Sequence, residues 1–312
     1  MIQFDYEFLV NLLNAGVRMA IPVILASVGC VFAERSGVLN ISLEGQMLAG
    51  AFVAFITTYF TGNLVLGILG GVLGGCLMAL ILAVAGITLR ANQTITGIAL
   101  NMFASGATSF GFWILFGVST TTPIIEKLPN CPIPGLSSIP VLGEMFFQHS
   151  VLVYLAYLLV VVCYVVLFKT TFGLKLRACG EHPKAAETMG VNVLATRYMG
   201  SLICGGLAGL GGAFLSLVAL GMFADDVTAG RGFVALAIVI FGRWHPLLCT
   251  LAALFFGTID AFQLRVQASG VEIPYQFLLM LPYVFTLVTM MFTSKRAAGP
   301  ACVGQPYERE QI

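Results

Sequence analysis

Six apolar stretches of this chain contain no Asp, Glu, Lys or Arg: residues 45–89, 91–125, 145–168, 198–224, 244–259 and 273–294. About 20 mostly apolar residues suffice for a helix to cross a bilayer. Charged residues make up 9% of the 312 and hydrophobic ones 59%, whereas a soluble domain carries roughly a quarter charged residues. So few charges cannot coat a water-facing surface, but a lipid-facing surface needs none. The runs are continuous rather than alternating, which argues against the strands of a membrane barrel. The expected fold is all-α, a single polytopic helical bundle over residues 1–312. Its spans fall near 8–32, 38–60, 64–89, 93–117, 150–168, 198–221, 233–243, 246–264 and 273–293, about nine crossings. The window at 233–243 is too short to cross alone and reads as a half-helix or re-entrant piece. The N-terminus, MIQFDYEF, lacks the positive n-region of a cleaved signal peptide, so the first apolar run is expected to remain as a span.

Two polar segments interrupt the runs. Residues 118–149 are proline-rich, with Glu126, Lys127 and Glu144. Residues 169–197 are the more basic, with Lys169, Lys175, Arg177, Lys184 and Arg197. The positive-inside rule places 169–197 in the cytoplasm and 118–149 outside. Arg35, Arg90, Arg243 and the Lys295–Arg296 pair then fall inside, Asp5, Glu7, Asp225 and Asp226 outside. The N-terminus is thus expected outside and the 295–312 tail in the cytoplasm.

Net charge is +1, which gives no reason to expect a nucleic-acid partner. The eight cysteines mostly sit in apolar runs without a CxxC pair, so neither a disulfide framework nor a zinc site is expected. No HExxH, GxSxG or Walker motif is present, and no metal site or catalytic set is expected. The GGLAGLGG segment at 205–212 lacks the Gly-Lys-Ser/Thr of a phosphate loop. Its Gly205 and Gly209, with Gly67, Gly71 and Gly75, instead repeat at four-residue spacing. Such a small-residue stripe lets helix backbones approach closely in lipid. Gly71→Leu is therefore expected to disturb packing more than Gly62→Leu.

Three constellations carry polar chemistry. The first is ERSGVLNISLEGQ, residues 34–46. Charges and amides at membrane depth usually face a partner or a cavity, so Asn40, Glu44 and Gln46 are candidates for a translocation path. The competing structural role for Glu44 is an ion pair with a basic group such as Arg18, and Glu34 with Arg35 reads as a solvated membrane edge. The second is GLKLRACGEHPKAAETMGV, residues 173–191. Pro183 suits the first turn of a short helix and Gly190 its end, with Ala185, Ala186 and Met189 along one side. Such a helix can dock into a groove on another protein, or simply be a solvated connection. The third runs from Asp225 to Pro246. There Trp244 and His245 suit an interfacial belt, and His245 is either a proton carrier or, more commonly, structural. Within the spans, Asn101 and neighbouring hydroxyls suit a hydroxylated solute. Phe103, Phe110, Phe112 and Trp113 could stack on a base or sugar. Taken singly, each residue suits interhelical hydrogen bonding or packing better than a substrate contact.

These motifs carry a family resemblance. ERSGVLNISLEGQMLAGA (34–51), ANQTITGIALNMFASGATSF (91–110), GLKLRACGEHPKAAETMGVNV (173–193) and TAGRGFVALAIVIFGRWHPL (228–247) together resemble bacterial ABC-importer permeases for nucleosides and simple sugars. Ser42 stands where glycine is expected, and Cys179 at a variable position. The resemblance implies a multi-pass subunit of the bacterial cytoplasmic membrane with three partners. They are a cytoplasmic ABC ATPase that seats residues 173–193, a second permease, identical or homologous, and an external substrate-binding lipoprotein. Gly173, Arg177, Gly180, Glu181, Pro183, Ala185, Ala186 and Gly190 would carry the ATPase-coupling pattern. The chain itself would be no enzyme and bind no cofactor, ATP and Mg²⁺ belonging to the partner ATPase. Nucleosides are the expected solute, with simple sugars or riboflavin as alternatives. A stand-alone ion-coupled carrier would instead need a buried charge pathway, for which Glu44 and Asp260 are the only seeds. A membrane enzyme would need a converging nucleophile and base, and no motif in the sequence supplies them.

Overall fold

The computed structural model describes residues 6–117, 123–135, 142–268 and 299–308, with a few isolated positions between them. The described residues form eleven helices: α1 Tyr6–Arg35, α2 Leu43–Thr61, α3 Leu64–Ala83, α4 Gln93–Phe116, α5 Leu142–Phe146, α6 Val151–Lys169, α7 Thr171–Glu181, α8 Pro183–Thr188, α9 Val193–Phe214, α10 Arg231–Phe241 and α11 Pro246–Ala268. α3 and α9 each end in a wider π-type turn, Val84–Thr88 and Leu215–Leu220. The extended structure described is one antiparallel bridge between Asn130 and Ser150.

The helices start where short polar side chains can satisfy the first free backbone N–H groups. Asn63 accepts from Val65 and Leu66, Asn92 from Thr94 and Ile95, Thr170 from Gly173, and Asn192 from Ala195. Gly62, at φ +66°, closes α2 immediately before Asn63 opens α3, so the chain reverses within two residues.

Among the described residues, six helical stretches are long and apolar enough to cross a membrane: Glu7–Arg35, Leu64–Thr88, Gln93–Phe116, Val151–Lys169, Val193–Leu220 and Pro246–Ala268. α2 matches them in length but carries Glu44, Gln46 and three threonines. α10, at 11 residues, rises only about 16 Å, roughly half of a ~30 Å hydrocarbon layer. The expected span at 273–293 lies outside the described residues. Two expected boundaries shift. α2 begins at Leu43, not at 38, because residues 36–42 leave the helix as an irregular turn. α9 begins five residues before the expected 198, because Asn192 caps it.

α1 runs through the centre of the bundle, against α9 and α11. Glycines set these approaches. A methyl added at Gly257 would lie 2.7 Å from Ala20 on α1, and one at Gly29 would lie 3.0 Å from Cys204 on α9. The tightest crossing joins α2, α3 and α9. A methyl at Gly75 would meet the Gly209 backbone at 2.7 Å, and one at Gly209 would meet the Gly75 backbone at 3.0 Å. At Gly205 it would reach the Gly75 carbonyl carbon at 3.0 Å. Gly71 faces Ala213 and Ala54, whereas Gly67 faces Thr58 and Ala54 of α2 alone. Gly62 has no neighbour within 4 Å, though its positive φ penalises any larger residue.

Candidate functional site

The turn between α1 and α2 is dry and self-satisfied. Asn40, Ser42 and Gln46 are fully buried. Asn40 accepts from the Ser42 N–H at 3.1 Å and the Ser42 hydroxyl at 2.8 Å. Its amide donates to Gln46 Oε1 at 3.1 Å and to Cys204 Sγ at 3.0 Å. Gln46 donates in turn to Ser42 Oγ at 2.9 Å. Asn101 on α4 grips the same turn, accepting from the Gly45 N–H at 2.8 Å and donating to the Ile41 carbonyl at 3.0 Å. Cys204 stands eleven residues beyond the α9 start at Val193, about 16 Å along its axis. The Asn40 turn packs on that stretch of α9, inside the bundle, where a buried polar group must find its partners within the protein. Asn40→Leu should strip this turn of its central donor and acceptor and cost about 1–3 kcal/mol. Thermal unfolding of the detergent-solubilised protein would read that loss.

Glu44 does not pair with Arg18, which is exposed. Its carboxylate accepts from the backbone N–H of Gly230 at 2.7 Å and of Gly232 at 2.6 Å. These groups open α10, whose N-cap Gly230 has no side chain to offer. Glu44 thus supplies from α2 the capping oxygen that α10 lacks. A negative charge there is also favoured by the helix dipole. A methyl on Gly232 would lie 2.5 Å from Glu44 Cα, so only glycine admits this approach.

Backbone strain concentrates around the same half-helix. Asp226, Ala229, Arg243 and Trp244 all have φ between +46° and +55°. Non-glycine residues rarely enter this region, and clusters of them mark over-determined, functional segments.

Two expectations about the lower end of α10 are corrected. Glu34 is buried, not a solvated edge, and Trp244 is buried, not in an interfacial belt. The Trp244 indole N–H donates to Glu34, which satisfies both groups inside the protein. Arg35 Nε donates to the Trp244 carbonyl at 3.2 Å and its guanidinium lies 3.8 Å from Glu181. His245 packs its ring on Phe168 and Tyr164 at centroid distances of 4.9 and 5.5 Å. Burial, and then the nearby Arg35 charge, hold its imidazole below the usual pKa.

The 173–191 segment folds into α7 and α8. Pro183 occupies the first turn of α8 and Gly190, at φ +79°, follows its end, as the sequence implies. The apolar positions do not share one side. Ala186 is buried with Cys179, Val193 and Tyr307, while Ala185 is exposed and Met189 is 83% exposed. Gly173 and Gly180 hold close backbone approaches. A methyl at Gly180 would lie 2.9 Å from the Arg35 carbonyl carbon, and one at Gly173 would meet the last carbonyls of α6. Arg177 lies over the Phe168 ring at 5.0 Å. Glu181 faces Arg35 and accepts from the Ala301 N–H at 3.3 Å. A cleft of about 670 Å³ opens between α8 and the tail, lined by Pro183, Lys184, Ala185, Gln305 and Tyr307.

At the opposite end, Phe55, Tyr59, Phe112, Phe116 and Phe223 form an aromatic cluster with centroids 4.8–6.4 Å apart. Phe112 belongs to it, whereas Phe103, Phe110 and Trp113 are exposed on α4. Ser109 donates to Asp225 at 2.8 Å. Sequence reasoning missed the tail contacts of Arg197 and the Glu34–Trp244 bond. Arg197, a charge just inside an apolar helix, was the available signal for the first.

A helical bundle with six described stretches long and apolar enough to cross a membrane, a short capped helix α10 and a folded helix pair on one face defines a polytopic membrane protein. Similarity to known proteins makes the class particular. Residues 12–293 match the family described as the permease component of branched-chain amino acid transport systems, and the chain belongs to that family. It is 41% identical to the guanosine ABC transporter permease protein NupQ of Bacillus subtilis, over 96% of this chain and 97% of that one. It is 39% identical to the nucleoside ABC transporter permease protein NupC of Lactococcus lactis, over 92% and 93%. Identity is 37% to TsgC13 of Haloferax volcanii, provisionally named a glucose ABC transporter permease, over 97% and 99%. Among solved structures, an inward-facing metal-chelate-type ABC transporter shares the fold at a TM-score of 0.50 and 15% identity, over 95% of this chain and 88% of that one. The chain is therefore a multi-pass permease subunit of the cell membrane, and not an enzyme, with ATP hydrolysis carried by a separate subunit.

Proposed function

We propose that this chain forms half of the pathway of an ATP-driven importer for nucleosides. The observation that carries the reading is the Glu44 carboxylate on the N-terminus of half-helix α10. Broken helices whose ends meet near mid-bilayer are where transporters build solute paths. The path would run along the wall made by α2, α4 and α10, from Asn101 and Glu44 toward Ser109 and Asp225. Asn40 and Gln46 would shape that wall from behind, their own polar groups being spent on each other. The described neutral amides and hydroxyls suit a ribose, and the outer aromatics suit a base face. The two nucleoside permeases among the relatives support this solute. The Haloferax volcanii relative favours a simple sugar as the second reading.

In this reading residues 169–197 are the cytoplasmic coupling segment, 118–149 are external and 295–312 are the cytoplasmic tail. The chain crosses about nine times with its N-terminus outside. α8, with Pro183 and Ala185, seats in the ABC ATPase, which holds ATP and Mg²⁺. Gly173, Gly180 and Gly190 set the angle of α7 and α8, and Arg177 and Glu181 hold them to the bundle. A second permease, identical or homologous, completes the pore, and an external binding lipoprotein delivers the solute. This chain binds no cofactor of its own.

Uptake of labelled guanosine by vesicles holding the complete set of subunits tests the function. Accumulation that needs ATP, and is competed by unlabelled nucleosides better than by glucose, is the expected result. Accumulation driven by an ion gradient in the absence of the ATPase would overturn it. Met189→Asp and Pro183→Leu should each lower recovery of the ATPase with this chain at least tenfold, measured by co-purification. Met189 is the cleaner probe, because it is the most exposed apolar side chain on that face. Undiminished recovery with both variants would remove α8 from the interface.

A further inference from the structure

Arg197 is 1% exposed, yet among the described contacts no carboxylate balances it. A buried guanidinium is costly unless it is held by several partners. What holds it is the tail. Its Nη1 donates to the Gln305 carbonyl at 2.9 Å, and its guanidinium lies 5.9 Å from the Tyr307 ring centroid. On its other side it packs against Gly37, where a methyl would lie 2.7 Å from Nη2. The tail is bound at both ends to the coupling segment. The Cys302 N–H donates to the Gly180 carbonyl at 2.9 Å, Ala301 donates to Glu181, and Tyr307 hydrogen-bonds Glu187. Between these points the Gly304 N–H donates to the Gly37 carbonyl at 3.1 Å. Glu308 adds a salt bridge to Arg90 at 2.9 Å.

Gly37 begins the turn that leads through Asn40 to Glu44, and Glu44 caps α10. One continuous set of contacts therefore joins α7 and α8 to the N-terminal end of the half-helix α10. We propose that residues 301–308 and Arg197 form a strap that transmits movement of α7 and α8 to the 36–42 turn, with Arg197 as its positioning residue. This rests on the reading of α8 as the ATPase seat. The strap acts beside the direct contacts of Gly180 and Glu181 with Arg35, and carries the larger part of the movement that hydrolysis passes to α10.

The test uses the complete complex with its ATPase and loaded binding protein. Three forms of this chain are compared with wild type: Arg197→Met, Arg197→Lys and a chain ended after Pro300. Expected for the shortened chain and Arg197→Met is ATPase recovery within twofold of wild type. Stimulation of hydrolysis by the loaded binding protein should fall at least fivefold, and uptake at least tenfold. Arg197→Lys should recover part of the stimulation, since it keeps the charge and one donor. Because the truncation lies beyond every described helix, it keeps the proposal testable if Arg197→Met fails to fold. Stimulated hydrolysis and uptake within twofold of wild type in the shortened chain would overturn the strap. Loss of ATPase recovery on truncation would also overturn it, by making the tail part of the seat. Failure of the wild-type chain to recover any ATPase would instead sink the docking reading itself.

Discussion

Gly75→Leu is expected to leave almost no assembled protein in the membrane. α3 and α9 cross with Gly75 against Gly205 and Gly209, so any side chain at 75 meets backbone atoms. Rotamer changes cannot relieve such a clash, and the helices must separate. Overpacking commonly costs about 1–3 kcal/mol where neighbours can yield, and here the neighbours are main chain. Separation also breaks the Gly71–Ala213 contact one turn away. In lipid these close contacts are the main force between helices, so little remains to restore the pair. Gly106→Leu is the matched control, because nothing lies within 4 Å of that position and its backbone is ordinary helix. Quantitative membrane blots and gel filtration of solubilised protein should show loss for Gly75→Leu and wild-type behaviour for Gly106→Leu. Equal behaviour of the two would refute the small-residue crossing.

Glu44→Ala and Glu44→Gln should each reduce solute uptake at least tenfold while leaving membrane insertion intact. The carboxylate satisfies the buried N–H of Gly232 at 2.6 Å and the half-buried N–H of Gly230 at 2.7 Å. Hydrogen bonds to a charged group are worth about 1.5–3 kcal/mol each, and stranding the donors adds to the loss. Alanine removes both acceptors and the charge that complements the dipole of α10. Glutamine keeps one acceptor but turns an N–H₂ toward the second donor. The bundle should survive, because α10 contributes only 11 of the described helical residues and the α2–α3–α9 crossing does not involve it. Uptake should fall, because the end of α10 loses its fixed place in the wall. Glu44→Gln with wild-type uptake would show that the cap is dispensable.

Much of the helical fold could be read from charge-free runs, and the ends of α3, α4 and α8 from their Asn and Pro caps. The packing stripes on α3 and α9 were also legible from their four-residue glycine spacing, but that the two stripes face each other was not. Side-chain partners were not. Glu44 looked like an ion-pair candidate because sequence shows side-chain charge but hides the free N–H groups of a helix end. Glu34 and Trp244 looked solvated because each borders a polar run. Their mutual hydrogen bond depends on how α10 returns beside α1, 210 positions away in the chain. The tail gave no signal for the same reason: Arg197 meets it through the backbone carbonyl of Gln305 and the face of the Tyr307 ring, 108 and 110 positions away in the chain.

The α2–α3–α9 crossing also divides labour within the subunit. Main chain pressed against main chain has no slack, so these three segments must travel as one stiff keel during any rocking between inward- and outward-open forms. α4, largely exposed and tied to α2 through Asn101, and the strained hinges flanking α10 are left to pivot about it. Spin labels placed in pairs across the keel should keep a single distance through the ATP cycle, whereas pairs reaching to α4 should broaden or split.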